Sequence, residues 1–304
     1  MSSHPLARLG WRADLESDLR SLGDPALVPA RVIAVDRGRA LVDDGAAAWS
    51  APLAGRLRRA GASPATGDFV AALPGGPVRA VLPRRGVIAR RGDGGRAEVL
   101  AANVDLALLA TSANRDLKPR RLARFLAITA RGEVETVVLL TKADLAADSH
   151  GLAAQVQAGL DGTPVVPVSV PAGVGVDAVR ARLAPDRTAV LLGTSGVGKS
   201  TLLNALLGAE RQATAPIRAS DDRGRHTTVR RELVSLPGGA LLIDTPGLRL
   251  VAPLEDADAP EPLLDTAQVR RERRARERSF HREIYRDMRE RRRDREASDR
   301  RHGR

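Results

Sequence analysis

The 304-residue sequence lacks cysteine altogether and has only six aromatic residues and three lysines. Without cysteine, the chain can form neither a disulfide framework nor a thiolate metal site. No apolar run approaches the ~18 residues that a membrane span requires. Residues 1–29 also show no signal-peptide core. We therefore expect a cytoplasmic protein without membrane contact.

The basic charge that is present is almost entirely arginine, which supplies 46 of the 49 Lys and Arg residues. A formal net charge of +12 suggests a polyanionic partner such as nucleic acid, but arginine richness can also reflect genomic composition. Residues 268–304 alone hold 16 Arg against 8 acidic residues. We predict a basic helical segment over 261–304, which is either an RNA-docking helix or a solvated tail.

Changes in composition and in the pattern of apolar residues divide the rest of the chain into segments. Residues 1–26 are predicted to form an N-terminal arm, either flexible or containing a short helix. Residues 27–92 contain about five short alternating runs with Gly, Pro and Asp between them, which predicts a small β-barrel of the OB-fold kind. A structural β-domain without a ligand is the alternative. Residues 93–260 alternate five strands with helices, which is typical of a mostly parallel α/β sheet.

The strongest chemical signal is the motif G-T-S-G-V-G-K-S-T, which follows a predicted buried strand and opens a helix. Glycines allow backbone N–H groups to converge on a phosphate, and the helix N-terminus adds partial positive charge. Lys199 is predicted to bridge the β- and γ-phosphates as a catalytic group, and Ser200 to ligate Mg²⁺. The predicted binding residues of this loop are Gly193, Thr194, Ser195, Gly196, Val197, Gly198, Lys199, Ser200 and Thr201.

Other strand ends are predicted to complete the nucleotide site. Asp244, in D-T-P-G, is placed to hold Mg²⁺, and the N–H of Gly247 to sense a γ-phosphate. In T-K-A-D, the carboxylate of Asp144 can accept hydrogen bonds from N1–H and the 2-amino group of guanine, which adenine cannot offer. Ser169 fits a short loop that closes over the base. We therefore predict GTP and GDP as ligands, with Mg²⁺.

The order of these motifs is unusual. Ordinary Ras-like GTPases place the phosphate loop first and the base-recognition loops last, whereas Asp144 and Ser169 here precede Gly193. Such a permutation leaves the fold intact when the original chain ends lie close together. We predict an α/β fold: a small OB-fold β-barrel, a circularly permuted P-loop GTPase domain and an Arg-rich helical tail.

The barrel, the permuted order, the phosphate loop and G-R-H-T-T at residues 224–228 resemble the ribosome small subunit-dependent GTPase A family. The resemblance covers about residues 30–250. It implies a GTPase that acts in late maturation of the small (30S) ribosomal subunit, is stimulated by that subunit and contacts its rRNA. We expect it to be a monomer. It also implies that Thr141, Lys142 and Asp144 bind GTP.

The resemblance further assigns catalytic roles after the phosphate loop. Thr227 or Thr228 would reach Mg²⁺ and the γ-phosphate. His226 is the family-like candidate for positioning the attacking water, because Leu248 stands where many GTPases have glutamine. A solvated loop histidine is the alternative for His226.

One departure from the family concerns zinc. Its members normally end in a small zinc domain with three cysteines and a histidine, so this cysteine-free chain is expected to hold no zinc. Two other functions stay open at this stage. One is a nucleotide-gated RNA-binding or assembly module with negligible turnover, and the other is a GTPase that engages a non-ribosomal partner through the barrel.

Overall fold

A computed structural model describes residues 4–36, 38–55, 57, 63–91, 97–113, 117–208 and 231–245. Its first large element is a five-stranded antiparallel barrel. The strands are β1 (Val28–Asp36), β2 (Arg39–Asp43), β3 (Ala48–Pro52), β4 (Phe69–Ala72) and β5 (Val78–Val81). Strand β1 pairs with both β2 and β4, and a parallel bridge between Leu53 and Val78 closes the barrel.

Small apolar side chains fill this barrel because strand residues alternate between its two faces. Ala40 and Val42 of β2 are fully buried, whereas Arg39, the first residue of this strand, is exposed. The two buried side chains pack against Val32 of β1 and Val70 of β4. The predicted OB-fold-like β-barrel is therefore present in the strand-rich region that begins at residue 28.

The second large element is a mostly parallel sheet. Its strands are β8 (Leu106–Ser112), β9 (Glu135–Thr141), β10 (Val165–Val168), β11 (Thr188–Gly193), β12 (Glu232–Ser235) and β13 (Leu241–Asp244). Their order is β10-β9-β8-β11-β13-β12, and the short strand β12 is antiparallel to β13. The five parallel strands were predicted, whereas β12 was not.

Helices cover both faces of this sheet, which is why every residue of β8 is buried. The helices α2 (Pro119–Arg131) and α3 (Ser149–Ala158) pack in one apolar cluster, through residues such as Phe125 and Leu152. The helices α4 (Val176–Arg180) and α5 (Lys199–Leu207) pack in another cluster. The result is a three-layer α/β arrangement.

The N-terminal arm contains a 3-10 turn (Ala7–Leu9) and the helix α1 (Asp14–Ser21). Leu6 and Leu9 are buried in the core that also holds α2 and α3, and Leu15 is buried against the barrel. A separate hairpin of β6 (Ile88–Arg91) and β7 (Ala97–Ala101) follows the barrel. Among the helices of the described ranges, none is long and apolar enough to cross a membrane.

The barrel and the parallel sheet are hydrogen-bonded into one eleven-stranded sheet, because Ala34 of β1 pairs with Glu232 of β12. The guanidinium of Arg31 is fully buried at this junction. It donates to the carbonyls of Leu9 (2.6 Å) and Gly67 (2.8 Å) and to the hydroxyl of Thr188 (3.1 Å). Burial lowers the pKa of Arg31 to about 9, against the raising effect of nearby carboxylates. The charge is retained at neutral pH and ties the arm, the barrel and β11 together.

Candidate functional site

The loop between β11 and α5 has a backbone that requires glycine. Gly193, Gly196 and Gly198 have φ values of 147°, 74° and 104°, a region that residues with a side chain rarely adopt. A Cβ on Gly193 would also lie 2.6 Å from the carbonyl oxygen of Ala110. The glycines thus allow the loop to turn tightly over the end of β8 and to present its N–H groups at the start of α5.

Lys199, the first residue of α5, lies with its side chain over this loop. Its ammonium group donates to the carbonyl oxygens of Gly193 (2.8 Å) and Thr194 (2.7 Å), and the residue is only 7% exposed. Burial lowers the pKa of Lys199, while the carboxylate of Asp244 has the opposite effect. A cation therefore lies beside the glycine-rich loop, as phosphate binding requires.

Thr141 joins the end of β9 to the phosphate loop. Its buried hydroxyl lies 2.6 Å from the carbonyl oxygen of Val197 and 2.9 Å from that of Thr111 at the end of β8. Lys142, which follows it, adopts a left-handed conformation with φ 55°. The motif T-K-A-D is consequently packed against the loop that it was predicted to complement.

Asp144 lies beyond this contact, on a 3-10 turn at Ala143–Leu145. Its carboxylate accepts a 2.5 Å hydrogen bond from the hydroxyl of Ser169, a residue that is 1% exposed. Ser169 is held in turn by paired backbone hydrogen bonds with Val174. An oriented, solvent-facing carboxylate at this position can accept the two hydrogen bonds that guanine offers.

Ser200 and Asp244 were the predicted magnesium ligands. Ser200 is exposed in the first turn of α5, and Asp244 ends β13 in register with Leu191 of β11. The next residue, Thr245, is fully buried and donates its hydroxyl to the carbonyl of Leu191, which anchors the start of D-T-P-G. In the described residues no cluster of three or more His, Asp or Glu side chains is present. This donor set fits Mg²⁺, which is held in phosphate sites by one or two protein oxygens together with phosphate oxygens and water.

Four of the predicted site residues lie outside the described residues: Gly247, His226, Thr227 and Thr228. The other residues of the predicted set lie at the carboxyl ends of β9, β10, β11 and β13. The structural role of one further hydroxyl, that of Thr245 in D-T-P-G, was not inferred from the sequence. A threonine at the end of a buried apolar run was the available signal, because a buried hydroxyl must find a partner.

The chain order around this site is permuted. Strands β8 and β9, with the T-K-A-D motif, precede β11 and its phosphate loop, and β13 with D-T-P-G follows. Fold and site together define a circularly permuted P-loop GTPase.

Comparisons with known proteins agree with this class. The sequence model of the RsgA GTPase family matches residues 81–252. The small ribosomal subunit biogenesis GTPase RsgA of Opitutus terrae is 40% identical over 264 residues, which are 80% of this chain and 72% of that protein. The protein of the same name from Streptomyces avermitilis is 44% identical over 275 residues, covering 84% of this chain and 71% of the relative.

A crystal structure of YjeQ from Thermotoga maritima shares the fold, with a TM-score of 0.56 and 24% identity over 73% of this chain and 75% of that chain. The chain described here belongs to the RsgA GTPase family.

Proposed function

We propose that this protein hydrolyses GTP to GDP and phosphate during late maturation of the small ribosomal subunit. The observation that carries the proposal is the convergence of two halves of a guanine-nucleotide site. Lys199 and its glycine-rich loop lie at one strand end, and Asp144, oriented by Ser169, lies near the next. Thr141 joins the two halves through the carbonyl of Val197. The family relatives are named for small-subunit biogenesis, which supports the choice of partner.

In this proposal each part of the site has a separate task. The N–H groups of the phosphate loop and the ammonium of Lys199 bind the β- and γ-phosphates. Ser200 and Asp244 would hold Mg²⁺, which would supply positive charge close to the phosphate oxygens. Asp144 selects guanine, because adenine would leave this carboxylate facing an acceptor.

Positioning of the attacking water is assigned to the segment that precedes β12. Leu248 cannot orient a water molecule, so we expect slow hydrolysis by the isolated chain. His226 is proposed to orient the water, and Thr227 or Thr228 to reach Mg²⁺ and the γ-phosphate, when the subunit is bound. We propose a cytoplasmic monomer whose barrel and basic tail contact rRNA.

The test is phosphate release from GTP, measured with and without purified small subunits over a series of salt concentrations. We expect marked stimulation at low salt that declines as salt rises, because contacts to RNA phosphates release counterions. The variant Lys199→Ala should lose the stimulated reaction. No stimulation at low salt would contradict the ribosomal function, and full stimulation of Lys199→Ala would contradict the assigned site.

A further inference from the structure

The exposed face of helix α2 carries a concentration of positive charge. Residues 117–132 include five cations and no acidic residue. The described helices α3 and α4 contain no such excess, and α1 carries Asp14, Glu16 and Asp18 against one arginine. The basic charge of the described structure is therefore distributed unevenly, with α2 as one strongly basic surface.

Three of these cations have no counter-charge among the described residues. Lys118, Arg121 and Arg124 make no ion pair within the part of the chain that the structure describes. Several arginines elsewhere do make ion pairs, such as Arg84 with Asp68 at 2.7 Å and Arg187 with Glu135 at 2.8 Å. The α2 cations are thus available to an anionic partner at no cost of breaking an existing pair.

Helix stability does not account for this arrangement. The first turn of α2 contains no acidic residue, and Lys118 and Arg121 lie near its N-terminus. Cations at that end oppose the helix dipole and typically cost a few tenths of a kcal/mol each. The apolar face of α2 is packed in the core, where Leu122 and Phe125 are buried.

The shape and chemistry of this face favour RNA over a protein partner. In the part of α2 whose side chains are described, the exposed positions that are not cations are Ala123, Ala127 and Ala130, and these side chains are small enough for close approach of a sugar-phosphate backbone. Protein interfaces usually anchor on aromatic or large apolar side chains, and their cores are depleted of lysine. RNA backbones, in contrast, are contacted mainly through phosphate oxygens by Arg and Lys.

The surface also adjoins the nucleotide site. Lys118 and Arg121 line a shallow depression together with Thr194 of the phosphate loop and Thr111 at the end of β8. A partner that docks on α2 would therefore lie directly beside the loop that holds the phosphates. We propose that Lys118, Arg121 and Arg124 form a docking surface for RNA phosphates of the small ribosomal subunit, an inference that rests on the proposed function.

The test compares two double variants that each remove two positive charges. Arg121→Gln/Arg124→Gln alters the proposed surface. The matched control, Arg20→Gln/Arg182→Gln, alters α1, which packs against the barrel, and the turn after α4, which packs on the face of the sheet opposite to α2. Within the described ranges Arg20 is paired only with Glu16, at 3.5 Å, and its side chain is 76% exposed, so this pair contributes little. Melting temperatures check that both variants are folded.

Binding is measured by titration to purified small subunits and to the protein-free rRNA extracted from them. Loss of two phosphate contacts should lower the slope of log affinity against log salt by about 1.4–1.8. At ~0.1 M salt this corresponds to roughly 25- to 60-fold weaker binding, if the electrostatic contribution vanishes near 1 M. The control should keep the slope of the unmodified protein.

The outcomes separate this inference from the proposed function. If the unmodified protein shows neither binding to subunits nor stimulated GTP hydrolysis, the proposed function fails. If it shows both, and Arg121→Gln/Arg124→Gln keeps the unmodified slope and affinity, the α2 surface is refuted. Equal losses of affinity in the two double variants would also refute the α2 surface, because the loss would then follow from the lower net charge and not from the position of the arginines. If Arg121→Gln/Arg124→Gln binds subunits more weakly than the unmodified protein but binds protein-free rRNA equally well, the surface contacts a protein, and RNA docking is refuted.

Discussion

Asp144 provides the most direct quantitative test of guanine recognition. Its carboxylate is held by the hydroxyl of Ser169 at 2.5 Å and faces solvent, where two donors of a guanine base can reach it. The substitution Asp144→Asn preserves size and shape. It replaces one accepting oxygen by an NH₂ group, so that one guanine donor faces a donor.

The expected loss follows from these contacts. A hydrogen bond to a charged group contributes about 1.5–3 kcal/mol, and Asp144→Asn weakens or removes two. The affinity for GDP should therefore fall by about 3–6 kcal/mol, or roughly 10²- to 10⁴-fold. Ser169→Ala should act indirectly. It removes a donor that orients the carboxylate but does not touch the base, so only part of that energy is lost from binding. We expect GDP binding to weaken by about 0.5–1.5 kcal/mol, or ~2- to 12-fold.

Calorimetric titration with GDP and with xanthosine diphosphate is the appropriate assay. Xanthine carries a 2-oxo group where guanine has a 2-amino group, so the amide of Asp144→Asn can donate to it while accepting from N1–H. We expect this variant to prefer xanthosine diphosphate, whereas Ser169→Ala should keep its preference for GDP. GDP binding by Asp144→Asn within about threefold of the unmodified protein would refute the reasoning. The reasoning would also be refuted if Asp144→Asn bound neither GDP nor xanthosine diphosphate while its melting temperature stayed unchanged.

Four further substitutions test different parts of the structure. Lys199→Ala should lower GTP affinity about 10- to 100-fold, measured by titration, because one charged donor is lost; an unchanged affinity would contradict its role. Gly193→Ala, with its Cβ contact at 2.6 Å and φ 147°, should destabilise the protein by about 1–3 kcal/mol in urea unfolding. Gly196→Ala, which meets nothing within 4 Å, should cost less. Asp68→Asn leaves the Arg84 guanidinium without its buried partner and should cost about 3–5 kcal/mol; a cost below ~1 kcal/mol would argue against that pair.

Local patterns were sufficient to predict the strand, loop and helix that carry the proposed nucleotide site. The run preceding Gly193 is apolar over a whole strand, and the glycines require a turn, so strand, loop and helix were predictable from neighbouring residues alone. Helix α2 begins at Pro119 as predicted, because proline suits the first helical turn. These features depend on interactions within about ten residues of the chain.

Features that depend on distant contacts were missed. Strand β12, Glu232–Ser235, is only four residues long, and its place between β13 and β1 depends on both neighbours. The burial of Arg31 runs against the usual exposure of arginine. It becomes possible only because carbonyls from remote segments, at Leu9 and Gly67, converge on one guanidinium. The basic surface of α2 was not predicted, because the 16 arginines of residues 268–304, which lie outside the described residues, dominate the net charge of the chain.

The pairing of Ala34 with Glu232 has a consequence for synthesis on the ribosome. The two residues lie 198 positions apart, and at ~5–20 residues per second the later one is made about 10–40 s after the earlier. During that interval the second half of β1 has an unpaired edge on the side that β12 will occupy. Open strand edges invite pairing with other chains. The permuted order therefore gives the nascent protein a period of vulnerability to aggregation, which ends only when its last described strands emerge.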